Sequence, residues 1–118
     1  MNIKEEISKL DLLIKNYQSQ KWGTPEHKVA MNEMEALIKE LDVNANGLVG
    51  KHISFQVADG YARYIIVKEL KSTVKVYHLD IDDGYSSLAV YDGKLPKGLA
   101  KQRVDGISAM RSIFAGVV

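Results

Sequence analysis

Hydrophobic residues along the chain change their spacing near residue 50, from a helical period to a strand period. Ile3, Ile7, Leu10, Ile14 and Tyr17 recur at steps of four and three, with Leu13 widening the stripe, which predicts an amphipathic helix. Trp22-Gly23 is read as its end, with Gly23 as a C-terminal cap. Thr24-Pro25-Glu26 then opens a second helix: Thr24 is the N-cap, Pro25 takes the first helical position and Glu26 meets the positive end of the dipole. The second stripe is Ala30, Met34, Leu37 and Leu41, reinforced by Met31 and Ile38. So short a connection predicts two antiparallel helices, a helical hairpin.

The polar stretch Asp42 to Gly47 closes the second helix, and alternation takes over. Strands are predicted at 51–57, 61–70 and 73–81, with a short fourth at 88–91 ending at Asp92-Gly93. In the first, Ile53, Phe55 and Val57 share one face while His52, Ser54 and Gln56 share the other. The second is apolar on both sides through Tyr64, Ile65, Ile66 and Val67, as a strand covered on both faces would be. Two near-copies of one turn, Ala58-Asp59-Gly60-Tyr61 and Asp82-Asp83-Gly84-Tyr85, stand between alternating runs. Asp-Gly there signals a hairpin, because Gly takes the positive φ of a tight primed turn. Lys71-Ser72 supplies the turn between the second and third strands. Lys94 to Gly98 reads as a loop, and a last helix over 99–115 carries Ile107, Met110, Phe114 and Val117 on one stripe, with Gly106 weakening its interior. The fold class is therefore α+β: an N-terminal helical hairpin, an antiparallel three- to four-stranded meander sheet and a C-terminal helix. The 118 residues suit one domain, divided into the hairpin (1–47), the sheet (48–93) and a basic loop and helix (94–118).

Composition narrows the chemistry. The chain has no cysteine, which excludes disulfides, thiolate catalysis and cysteine-ligated metal sites. No apolar run approaches the roughly 20 residues a membrane helix needs, and the N-terminus lacks an apolar signal core, so a cytoplasmic protein of a bacterial cell, without membrane contact, is expected. Charge is uneven: residues 1–50 carry a balance of −2, residues 51–92 a balance of −1, and residues 93–118 a balance of +4.

Candidate sites follow from these patterns. Asp80, Asp82 and Asp83 before Gly84 invite a cation, but a calcium loop needs glycine sixth and glutamate twelfth, and here glycine is fifth and Tyr91 twelfth. A charged strand end is the better reading, so neither metal nor cofactor is expected. His27, His52 and His78 read as isolated surface histidines, and no serine stands in a nucleophile elbow. Tyrosines crowd the sheet beside Arg63, Lys68 and Lys75, and tyrosine with arginine suits protein interfaces. Tyr61, Arg63, Tyr64 and Tyr85 are the candidate contact residues there, joined by Lys94, Lys97, Lys101 and Arg103 of the basic segment. The same basic segment offers the alternative of nucleic-acid binding. The hairpin stripe offers a surface for a homodimer, unless it packs on the sheet of its own chain.

The stretch Gly50-Lys51-His52-Ile53-Ser54-Phe55-Gln56-Val57-Ala58-Asp59-Gly60-Tyr61-Ala62-Arg63-Tyr64-Ile65-Ile66-Val67, with Asp83-Gly84-Tyr85 downstream, resembles small uncharacterised accessory proteins of bacteriophages and other mobile elements. The resemblance covers the middle third of the chain. It implies a phage or mobile-element protein that acts by binding another protein, such as a host-defence enzyme of the CRISPR nuclease kind. The expectation from residues and resemblance together is a non-enzymatic protein-binding module.

Overall fold

The computed structural model describes residues 2–57, 60–81 and 88–105, with the side chains of 55–57, 60, 61, 80, 81 and 88 left aside. Helix α1 runs Ile3–Ser19, and Asn2 caps it by accepting from the Lys4 and Glu5 amides. Helix α2 runs Pro25–Asn44, with Pro25 in its first turn and Thr24 Oγ1 accepting from the His27 amide at 3.2 Å. The end of α1 falls short of the glycine expected to cap it. Gln20 closes the helix, its amide donating to the Tyr17 carbonyl, and Gly23 instead uses a φ of 80° in the connection.

Four strands follow: β1 (His52–Val57), β2 (Gly60–Glu69), β3 (Thr73–Ile81) and β4 (Leu88–Pro96). They form one antiparallel sheet in the order β1-β2-β3-β4, the predicted meander. Gly60 is already the first residue of β2 and pairs with Val57, while Ala58 and Asp59 of the first turn lie outside the described residues. Residues 82–87, which hold the second, lie outside the described residues, although Ile81 pairs with Leu88 across them. β4 corrects the expected strand end at Asp92-Gly93. Gly93 pairs with Val76, Lys94 with Lys75, and the strand continues to Pro96, so the stretch read as a loop is mostly strand. Residues 97–105 are helical and form the described part of helix α3, which starts two residues before the expected 99. The remainder of that predicted helix lies outside the described residues.

Side-chain alternation sends β2 into two cores. Ile65, with Leu79, packs among Leu10, Ile14, Tyr17, Ala30, Met34, Leu37, Ile38 and Leu41 of the hairpin. Ile66, its neighbour in sequence, packs with Val74, Val76 and Ala100 on the opposite face, beneath α3. The hairpin stripe thus packs on the sheet of its own chain. His27, read as a surface residue, is buried with its ring 4.8 Å from that of Tyr17.

Polar ties also fix the helices to the sheet. Asp42 near the end of α2 accepts from the His52 amide at 2.9 Å, which starts β1. The Tyr77 hydroxyl in β3 donates to Asp11 of α1 at 2.9 Å, while Lys15 pairs with the other Asp11 oxygen. Between α2 and β1, Gly50 holds a φ of 95°, and a Cβ there would stand 2.9 Å from Ile3 Cδ1 and 3.1 Å from Ala45 Cβ. Backbone conformation and close packing both demand glycine at this position. Gly50→Ala is expected to lower stability by about 1–3 kcal/mol, read as a fall in the urea midpoint; an unchanged midpoint would remove the strain assigned here.

The Tyr77–Asp11 bond also makes a pH signature. Burial and the bond to Asp11 push the Tyr77 phenol well above its ordinary range. The bonds from Lys15 and Tyr77 hold the Asp11 carboxyl below its own. A raised acid is stabilised in its neutral form, so Tyr77 contributes below its ordinary pKa of about 10 and loses that contribution as pH rises beyond it. Asp11 contributes above the carboxylate range, and its share fades as pH falls through that range. Alkaline titration followed by phenolate absorbance should show one tyrosine lagging the rest, and Tyr77→Phe should abolish the lagging step. A lag that survives in Tyr77→Phe assigns it to another tyrosine.

Candidate functional site

Register decides which residues share a face. Ile53, Tyr64, His78 and Tyr91 stand in one row across all four strands, on the α3 side. The Tyr64 and His78 rings stack at 4.7 Å with planes 17° apart, and His78 lies 6.0 Å from the Tyr91 ring at a tilt of 45°. Such offset and tilted pairs suit the quadrupoles of aromatic rings. Tyr64 is half-buried against the Ile66–Val76 core, whereas Tyr91, on the edge strand β4, is 56% exposed. An aromatic ladder therefore climbs from core to solvent across three strands. His78, read as isolated, is its central rung. The missing signal was register: without it, three aromatic residues spread over 28 positions show no relation.

The other candidate residues distribute differently. Arg63 lies on the hairpin side, where its guanidinium donates to both Glu35 oxygens at 2.9 Å and its Nε donates to His52 Nε2 at 3.1 Å. A bidentate fork of this kind fixes both partners. Arg63 thus joins β2 to α2 and to β1, and the sheet face separates it from Tyr64. His52 and His78 lie on opposite faces, so they make no joint site. Tyr61 sits opposite Gln56 in register, and its side chain, like the whole of Tyr85, lies outside the described residues.

The basic segment is divided by the fold. Lys94 lies in β4 on the hairpin side of the sheet. Lys97 braces the start of α3, pairing with Glu69 at 3.2 Å and donating to the Leu70 carbonyl at 3.1 Å. Lys101 and Arg103 are exposed on α3. Lys97 and Lys101 line an open groove of about 850 Å³ with Asn46, Leu48, Lys51 and Glu69. Lys51 there donates to the Asp42 carbonyl at 3.3 Å, so two of the groove's three lysines act as structural braces.

Among the described residues no group of three or more histidines and carboxylates is placed to hold a metal ion, and no helix is long and apolar enough to cross a membrane. Of the acidic cluster, Asp80 pairs with Ala89 in the sheet, while Asp82 and Asp83 fall outside the described residues. No family model, curated protein or solved structure matches the chain.

The half-buried pair of Arg63 with Glu35 makes a definite expectation. Arg63→Ala leaves Glu35 without its charged partner and should cost about 1–2 kcal/mol, between the values for exposed pairs and charged hydrogen bonds. Chemical denaturation reads this directly, and a stability equal to wild type would leave the Arg63–Glu35 pair without a structural contribution.

Proposed function

We propose that this chain is a non-enzymatic protein-binding module that docks its partner through the sheet face carrying Tyr64, His78 and Tyr91. The observation that supports this reading most is the ladder itself. Tyr91 stands half out of the sheet on an edge strand, held by a ring behind it that is held in turn by Tyr64. A tyrosine already leaning on a neighbouring ring loses less rotamer freedom on binding and offers a large contact area, the property that makes tyrosine an interface anchor. The resemblance of the central stretch to phage and mobile-element proteins supports a host protein in the bacterial cytoplasm as the partner, with a defence nuclease as the first candidate.

The test places a photo-crosslinking phenylalanine analogue at position 91, and at position 9 on α1 as control, in bacteria carrying a CRISPR nuclease. Light should produce one adduct from position 91 and none from position 9, and Tyr64→Ala should weaken it by about tenfold or more, the effect of losing an interface anchor. Adducts equal at both positions, or none at 91 with the nuclease present, count against this face and this partner.

A further inference from the structure

On the other side of the sheet, beyond the footprint of the hairpin, Lys68 pairs in register with Lys75 and Lys75 with Lys94. Three lysines therefore stand side by side across β2, β3 and β4, all exposed. Like charges directly opposite on one sheet face repel. The alignment requires a bulge. β2 pairs as Arg63–Leu79 through Ile66–Val76, then shifts by one residue so that Lys68, not Val67, meets Lys75. The irregular residue is what completes the row.

Little on the protein offsets the charge. Among the described residues no carboxylate reaches ion-pair distance of the three ammoniums. Asp11, which feels Lys75, is already engaged by Lys15 and Tyr77. Lys71 in the next turn is exposed as well and adds to the same field. The neighbouring positions on this face are Val67, Thr73, Tyr77, Asp92 and Pro96, none of them an exposed large apolar residue, and Asp92 is the one carboxylate among them. Lysine is depleted in protein interfaces and an apolar centre is their norm, so a bare lysine row fits a protein partner poorly. It fits a polyanion that is charged at regular intervals. Strands about 4.8 Å apart spread three lysines over about 10 Å, and their flexible stems let the ammoniums fan out towards consecutive phosphates of a single strand.

We propose that Lys68, Lys75 and Lys94 bind the phosphodiester backbone of a single-stranded nucleic acid without reading its bases. The row contacts charge alone, since Tyr77, the nearest aromatic ring on this face, is tied to Asp11 and leaves bases nothing to stack on. The surface lies opposite the aromatic ladder, so the two partners do not compete for one face.

Fluorescence anisotropy with a labelled oligothymidylate at low salt tests the proposal. Binding should weaken with salt at a log–log slope of about −2, as three lysines on a single strand imply. Each single change, Lys68→Gln, Lys75→Gln or Lys94→Gln, should lower the slope by about 0.7, and the triple variant should lose binding. Lys75→Arg should retain it, while Lys9→Gln and Lys28→Gln on the hairpin should leave it unchanged. Tyr91→Ala should also leave it unchanged, which separates this site from the protein-docking face. Relief of repulsion should raise the melting temperature of Lys75→Gln, so lost binding there cannot be ascribed to unfolding. The proposal is overturned by no binding at low salt or by equal losses from the hairpin lysines. Tighter binding of duplex DNA would overturn the single-strand assignment. Equal competition by polyglutamate would reassign the row to an acidic protein segment.

Discussion

Ile65 and Ile66 are consecutive residues of one strand, both fully buried, and they point to opposite sides of the sheet. Most of the architecture follows from that pair. A sheet with one apolar face needs a single covering layer, but β2 requires two. The helical hairpin satisfies Ile65 with Leu10, Met34 and Leu41, and α3 satisfies Ile66 with Ala100. Each fully buried aliphatic side chain contributes about 1.5–3 kcal/mol of transfer free energy, so exposing either face of β2 would remove a large part of a marginal total stability. The helices are in this sense committed by the strand. The parts of the two sheet faces that the helices do not cover remain at the surface.

That constraint was legible in the sequence, because four consecutive apolar residues, Tyr64 to Val67, break the alternation seen in β1. The hairpin was legible as well, since its stripes, the Thr24 cap and Pro25 all act locally. Local reasoning failed where a turn signal met a longer-range demand. Asp92-Gly93 has the composition of a hairpin turn, yet Gly93 pairs with Val76 and a Cβ there would meet Val76 Cγ2 at an ordinary 3.5 Å. Pairing with β3 extends the strand through a dipeptide that would bend an isolated peptide. Gly23 shows the converse: expected as the cap, it takes a positive φ in the connection, because Gln20 has already closed the helix.

The candidate sites were less legible than the fold, for a reason particular to sheets. Composition identified tyrosines, an arginine and lysines in one region, but their function depends on side and register, and one residue of shift exchanges the faces. Arg63 and Tyr64 were grouped as neighbours in sequence and are divided by the sheet between α2 and α3. His78 carried no signal of its own and became the middle of the ladder through Tyr64 on one strand and Tyr91 on another. The basic segment, a single run in sequence, is separated by the turn from β4 into α3, which sends Lys94 to one face and binds Lys97 to Glu69.

The bulge in β2 links these observations. On the Arg63 side of it, the regular register aligns Tyr64 with His78; on the Glu69 side, the shifted register aligns Lys68 with Lys75. The two rows therefore occupy different halves of one strand as well as different faces. Perturbations at separated sites add nearly independently. Pairing β2 with β3 in one unbroken register, with every residue kept, would undo the arrangement. It would place Val67 against Lys75 and turn Lys68 towards the opposite face, dismantling the lysine row while leaving the pairing of Tyr64 with His78 in register. A single irregularity of the backbone thus allows one strand to bury both its faces and still present aromatic chemistry on one side and cationic chemistry on the other.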